Sequence, residues 1–210
     1  MSAFEFFFSF YGLLLGLSVA ALVAGFAQVL HERERVRFGW LTPLLAIFVA
    51  VDVATFWNQA WVIFRFAPFN FALLVVGLVV AATFYIAASV TFPRMTAEGV
   101  STRIDLDEHF WAQRRLVFSC VLAANLIVAV LFFLVTGLSG ETALWRQGVL
   151  FWVGMTLFIG GTSVAAFGPR RAAVAALIVL VLYHLFTTAR SVLVLVEGGG
   201  WSLLGPTGGG

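Results

Sequence analysis

The sequence predicts an all-α polytopic membrane protein, a bundle of six transmembrane helices with both termini outside, on the periplasmic side. Three observations lead there. Hydrophobic residues make up 62% of the chain and charged residues 10%, with mean hydropathy +1.05; too few charges remain to coat a globular surface. Several apolar runs exceed the roughly 20 residues that a helix needs to cross about 30 Å of hydrocarbon. The arginines gather in alternate loops. Strand-like alternation is missing, which excludes a β-barrel. Every basic side chain apart from histidine is Arg, and the net charge of +2 is divided among short loops, which excludes a nucleic-acid-binding surface. A Lys-free chain rich in Ala, Gly, Val and Leu fits a high-GC bacterial genome, and so a bacterial inner membrane.

The first span, Phe4–Leu30, lacks a basic leading segment and is followed by Arg33, Arg35 and Arg37. It therefore reads as a retained helix and not as a cleaved signal. Gly12, Gly16, Ala20 and Ala24 recur at four-residue spacing, with Ser18, Ala21 and Gly25 on a neighbouring strip. Such a face allows close helix packing, inside the bundle or against a homo-oligomeric or other membrane-protein partner. The second span, Leu41–Phe64, starts near Pro43, and the third, Phe69–Phe92, runs from Pro68 to Pro93. The longest connection, 93–115, contains Asp105-Leu106-Asp107-Glu108, whose D-x-x-E spacing predicts a capped helix start running into the fourth span, Leu116–Leu138. Asp105, Glu108 and His109 share one face of that helix and could ligate a metal together with His31, Glu32 or Glu34. Without a metal-binding motif, the expectation is a solvated helix end paired with arginines, and no metal or other cofactor. Gly168-Pro169 separates the fifth span, Gly148–Phe167, from the sixth, Ala172–Val196. Residues 1–197 thus form one transmembrane domain, and 198–210 a flexible Gly-rich tail. The single cysteine, Cys120, lies within an apolar run and forms no intrachain disulfide.

Orientation follows from arginine placement, because basic residues of short loops stay on the cytoplasmic side. Arg33, Arg35, Arg37, Arg94, Arg103, Arg114, Arg115, Arg170 and Arg171 occupy alternate loops, and the opposite loops hold Arg65 and Arg146. Nine against two places the termini outside. Tryptophans agree: Trp40 and Trp111 fall at inner boundaries and Trp61, Trp145 and Trp201 at outer ones, where amphipathic rings favour the headgroup layer. Three spans precede the long connection and three follow, the parity of an inverted repeat, although no residue-level repeat accompanies it.

Polar residues inside the spans are the candidates for function. Asp52 lies at the midpoint of span two, where an aspartate costs roughly 2.5–3.5 kcal/mol. His184 lies at the midpoint of span six and Asn125 within two residues of that of span four. Asp52, Thr55 and Gln59 form one polar stripe, and His184, Thr187, Thr188 and Ser191 another. Asn58 and Gln59 rise about 9–10 Å above Asp52, and Arg190 about 9 Å above His184. These placements predict an outward-opening polar cleft between spans two, four and six, a pathway for substrate or protons. Asp52 and His184 have the chemistry of a proton relay; the alternative is one neutralised structural pair, or two side chains each bonded to backbone. Phe56, Trp57 and Trp61 beside Asp52 offer an aromatic wall for an organic cation, against the alternative of packing and interfacial anchoring. No nucleophile elbow, zinc helix, phosphate loop or C-x-x-C pair occurs, so the chain is expected not to be an enzyme.

The stretch from Gly12 through Val36-Arg37-Phe38-Gly39-Trp40-Leu41-Thr42-Pro43 to Asp52 and Phe56-Trp57 resembles small uncharacterised six-span inner-membrane proteins of alphaproteobacteria. The resemblance covers mainly the first two spans and implies the topology and a bacterial origin, with no activity to carry over. Two functions then compete. One is a small transporter or channel using Asp52, His184, Asn125, Gln59, Asn58 and Arg190; the other is a non-catalytic subunit or scaffold of a larger membrane assembly.

Overall fold

The computed structural model describes residues 3–64, 70–94, 103–138 and 149–197. Among them are six helices: α1 (Ala3–His31), α2 (Leu41–Phe64), α3 (Phe71–Thr91), α4 (Leu106–Leu138), α5 (Val149–Phe167) and α6 (Arg170–Glu197). Two short strands, β1 (Val36–Arg37) and β2 (Ile104–Asp105), pair in parallel with Val36 opposite Ile104 and Arg37 opposite Asp105. Four helices are long and apolar enough to cross a membrane: Phe8–His31, Phe71–Thr91, Leu106–Leu134 and Arg170–Leu193. The apolar stretches Leu41–Trp57 and Phe151–Phe167 are shorter. Arg65, Arg146, Trp145, Trp201 and the tail lie outside the described residues.

Each helix start has a local cause. Asn70 is extended, and its side-chain oxygen accepts from Leu73 N at 2.9 Å, which starts α3 two residues later than the apolar run begins. Asp105 Oδ1 accepts from Asp107 N at 2.9 Å and Glu108 N at 3.3 Å, the cap that its D-x-x-E spacing predicts. α4 therefore begins ten residues before the apolar span read from sequence and continues into it. α2 is preceded by Trp40, a side chain without an oxygen to cap with. Its first amide, Leu41 N, bonds instead to Asp107 Oδ1 at 3.0 Å, and Thr42 Oγ1 donates to Leu106 O. Two loops far apart in sequence thus seal two helix ends at once.

α2 is the hub, in contact with α1, α3, α4 and α6, while α1 packs on α3, α3 on α4, α4 on α5 and α5 on α6. α1 lies along α3, but α4 and α6 have no comparable contact. The two halves are packed differently, so their parity carries no inverted repeat in the packing. The core is aromatic: Phe48 meets Phe118 at 5.4 Å between ring centroids, and Phe56 meets Phe84 at 5.1 Å and Tyr11 at 5.8 Å. Bulky apolar side chains also cover the outside, Leu13 being 67% and Phe71 80% exposed. An apolar exterior around a packed interior fits lipid as the surrounding solvent.

The small residues of α1 divide between two directions. Gly25 lies so close to α3 that a Cβ there would stand 2.9 Å from Phe92 Cβ, and a Cβ on Gly12 would stand 3.0 Å from the Trp57 ring. Gly16, Ala20 and Ala24 are exposed, and a Cβ on Gly16 would meet nothing within 4 Å. Only Gly12 of the four-residue stripe is buried in the bundle. Ser18, buried, and Ala21 and Gly25, half-buried, belong to the neighbouring strip.

Candidate functional site

Helical periodicity turns three mid-span polar residues toward one another. In α2 the buried positions Leu45, Phe48, Val49, Asp52, Val53 and Phe56 trace one inward stripe. In α6 the stripe is Ala173, Leu177, Leu180, Val181 and His184, and in α4 it is Val117, Val121, Ala124 and Val128, with Asn125 at its edge. The structure brings Asp52, Asn125 and His184 together. Asn125 Nδ2 donates to Asp52 Oδ2 at 3.1 Å and to Val121 O at 3.0 Å. His184 Nε2 lies 3.8 Å from Asp52 Oδ1.

Asp52 is 2% exposed and His184 3%. Phe48, Phe158 and Tyr183 surround the imidazole, with ring centroids 5.6, 5.9 and 5.9 Å from its own. Among the described residues His184 Nε2 has no hydrogen-bond partner. The gap to Asp52 Oδ1 exceeds a hydrogen bond by roughly 1 Å, too little for an intervening water. Two exchangeable groups, one oriented by Asn125, therefore stand at the middle of the bundle where a side chain able to carry charge is costly.

The other predicted residues are placed differently. On α6, Thr187 Oγ1 donates to His184 O at 3.0 Å and Ser191 Oγ to Thr187 O at 2.9 Å, so these hydroxyls are satisfied by their own helix. Thr188 and Arg190 are exposed. The side chains of Asn58, Gln59 and Trp61 lie outside the described residues. Phe56 and Trp57 do not wall Asp52: Phe56 packs on Tyr11 and Phe84, and Trp57 lies 5.8 Å from Phe8 and beside Gly12. Trp57, five residues on, is turned away from the carboxylate by more than a quarter-turn, whereas Phe56, four residues on, shares the inward stripe of Asp52.

The loop carboxylates are also committed. Asp105 caps α4 and pairs with Arg37 at 3.4 Å, Glu32 pairs with Arg35 at 3.0 Å, and His109 Nε2 stands 3.1 Å from Val90 O. No group of three His, Cys, Asp or Glu able to hold a metal occurs among the described residues. An open cavity of about 430 Å³ beside them is lined by Arg37, Phe38, Gly39, Trp40, Asp105 and Asp107. Sequence reasoning missed Asp107 as the cap of α2; the available signal was Trp40, which leaves Leu41 N without a local acceptor. It also missed Arg114. Arg114 is buried, and its guanidinium donates to Ala165 O at 3.2 Å and Gly168 O at 3.0 Å, closing the last turn of α5. Comparison with known proteins finds no matching family model, no matching curated protein and no matching solved structure.

Proposed function

We propose that this chain is a six-span protein of the bacterial inner membrane, non-enzymatic, whose single transmembrane domain (1–197) carries protons, alone or coupled to a solute, through Asp52 and His184. The observation that carries the proposal is the buried Asp52–His184 contact at 3.8 Å with Asn125 on the second carboxylate oxygen. Intramembrane ionisable residues mark proton and substrate pathways by default. Six spans are supported by α2 and α5, whose 24 and 19 residues are as apolar as those of the longer helices. Outside termini are supported by the nine-to-two arginine bias and by tryptophan placement. The resemblance to alphaproteobacterial six-span proteins agrees with this topology.

Proteoliposomes holding a pH-sensitive dye, driven by a potassium diffusion potential, test the proposal. The wild-type chain acidifies or alkalinises the lumen faster than empty vesicles, and Asp52→Asn and His184→Ala each slow it at least ~10-fold, the scale of one lost proton-transfer group. Flux that persists in both variants with its pH dependence unchanged would rule the relay out.

A second reading is favoured by one observation, the exposed Gly16, Ala20 and Ala24 of α1. A stripe of small residues left open on the bundle suits a membrane subunit that docks through α1, on a second copy or another protein. Extraction in mild detergent decides between the two: a fixed stoichiometric partner lost on Gly16→Leu supports a subunit, whereas a lone chain with proton flux supports the relay.

A further inference from the structure

The arginines of this chain are not equivalent. Near the first loop, Arg35 has Glu32 at 3.0 Å and Arg37 has Asp105 at 3.4 Å. Where α4 meets the turn between α5 and α6, Arg114, Arg115, Arg170 and Arg171 have no carboxylate within 4 Å among the described residues. Two of them share one ring: Arg114 Cζ lies 5.0 Å and Arg170 Cζ 5.1 Å from the Trp111 centroid. Arg115 and Arg170 both act on the Arg114 guanidinium as like charges. The α5 carbonyls compensate Arg114 alone, and Arg115, Arg170 and Arg171 are exposed. The first turn of α6 begins at Arg170, so its free amides add to the positive field. Directly beside these charges the surface is apolar, with Leu116 45% and Phe167 62% exposed.

We propose that this cluster binds the headgroup phosphate of an anionic glycerophospholipid, with Trp111 at headgroup level and the acyl chains along the flank formed by Leu116 and Phe167. Exposed guanidiniums match a phosphodiester in charge and in fork geometry, and the adjoining apolar strip selects a lipid over a soluble phosphate. Basic pockets between transmembrane helices recognise anionic headgroups by this combination. The inference rests on the membrane reading of the helices and is independent of the Asp52–His184 relay.

The test is native mass spectrometry of the full chain in detergent, titrated with phosphatidylglycerol or phosphatidylcholine. Phosphatidylglycerol is expected to bind at least ~10-fold more tightly, and each of Arg115→Gln, Arg170→Gln and Arg171→Gln to weaken it about fivefold, the triple variant about 100-fold. Phosphatidylcholine binding stays unchanged in the variants, and Arg35→Gln, whose arginine is already paired, keeps the wild-type preference. Equal affinity for the two lipids, or a triple variant that still prefers phosphatidylglycerol, overturns the headgroup assignment. Displacement of the lipid by equimolar glycerol phosphate overturns it in favour of a soluble phosphate ligand. A chain that remains monodisperse in water without detergent refutes instead the membrane reading beneath it. Single variants and circular dichroism keep the result readable where the triple variant folds poorly.

Discussion

Replacing Asn125 by valine, close in size and unable to hydrogen bond, separates a structural role of the buried polar cluster from a functional one. Asn125 Nδ2 gives Asp52 the hydrogen-bond donor that the structure shows on its carboxylate, at 3.1 Å, and bonds Val121 O at 3.0 Å. An interhelical hydrogen bond inside a membrane contributes about 0.6 kcal/mol on average and at most about 1.7. Stranding the Asp52 carboxylate, 2% exposed, adds a desolvation cost of about 1–3 kcal/mol. Asn125→Val should therefore lower unfolding stability by about 2–3 kcal/mol. Asp52→Val should cost less, about 1 kcal/mol, because Asn125 keeps its bond to Val121 O and His184 Nε2 has no partner to lose. The double variant should return to within about 1 kcal/mol of wild type, since removing both members of a buried polar pair is close to neutral. Unfolding in mixed micelles with rising mole fraction of SDS, followed by circular dichroism, measures all four corners of the cycle. Additive single effects would show the two side chains to be uncoupled, and an Asp52→Val variant less stable than Asn125→Val would make Asp52 a structural fastener; either result refutes the reasoning.

Other features give shorter tests. Arg114→Ala removes two charge-assisted bonds to the end of α5 and should cost about 2–3 kcal/mol in the same assay, with Arg114→Lys restoring only part because an ammonium cannot fork to both carbonyls. A Cβ on Gly39 would run into the Asp107 carboxylate that caps Leu41 N; Gly39→Ala should cost about 1 kcal/mol and speed hydrogen exchange at Leu41, and adding Asp107→Ala should make it no worse. Gly25→Leu should destabilise the bundle by about 1–3 kcal/mol against Phe92, while Gly16→Leu, open in the bundle, should stay within about 0.5 kcal/mol.

How much could be read from the sequence depended on the range over which each cause acts. Hydropathy reports whole turns of helix, so the apolar runs located the helices, and the D-x-x-E spacing announced the start of α4 because a cap acts within four residues. Depth is also local: counting residues from the span ends put Asp52, Asn125 and His184 at one level. Their meeting was a matter of rotation, and the inward stripes of α2, α4 and α6 supply it. Long-range pairings left weaker traces. The β1–β2 bridge joins residues 36–37 to 104–105 and has no pattern in a two-residue strand. Arg114 looked like an ordinary loop arginine because its acceptors, Ala165 O and Gly168 O, are backbone atoms on another helix. Of the three rings read as an aromatic wall, Phe56 meets Tyr11 of α1 and Trp57 meets Phe8 of α1, while the Trp61 side chain lies outside the described residues.

The placement of polar groups also separates two regimes within one molecule. At the loop end polar groups are bonded across elements: Asp105 holds two amides and Arg37, Asp107 holds Leu41 N, and Arg114 holds two carbonyls. At mid-bundle the opposite holds. Among the described residues the buried His184 Nε2 has no hydrogen bond, and it stands roughly 1 Å short of one to Asp52. In the relay proposed above, a side-chain rotation that closes this gap would join the carboxylate to the imidazole. On the proposed relay, variants of Asp107 and Arg114, whose bonds join separate elements, should lower stability before they alter proton flux, and Asp52 variants should do the reverse.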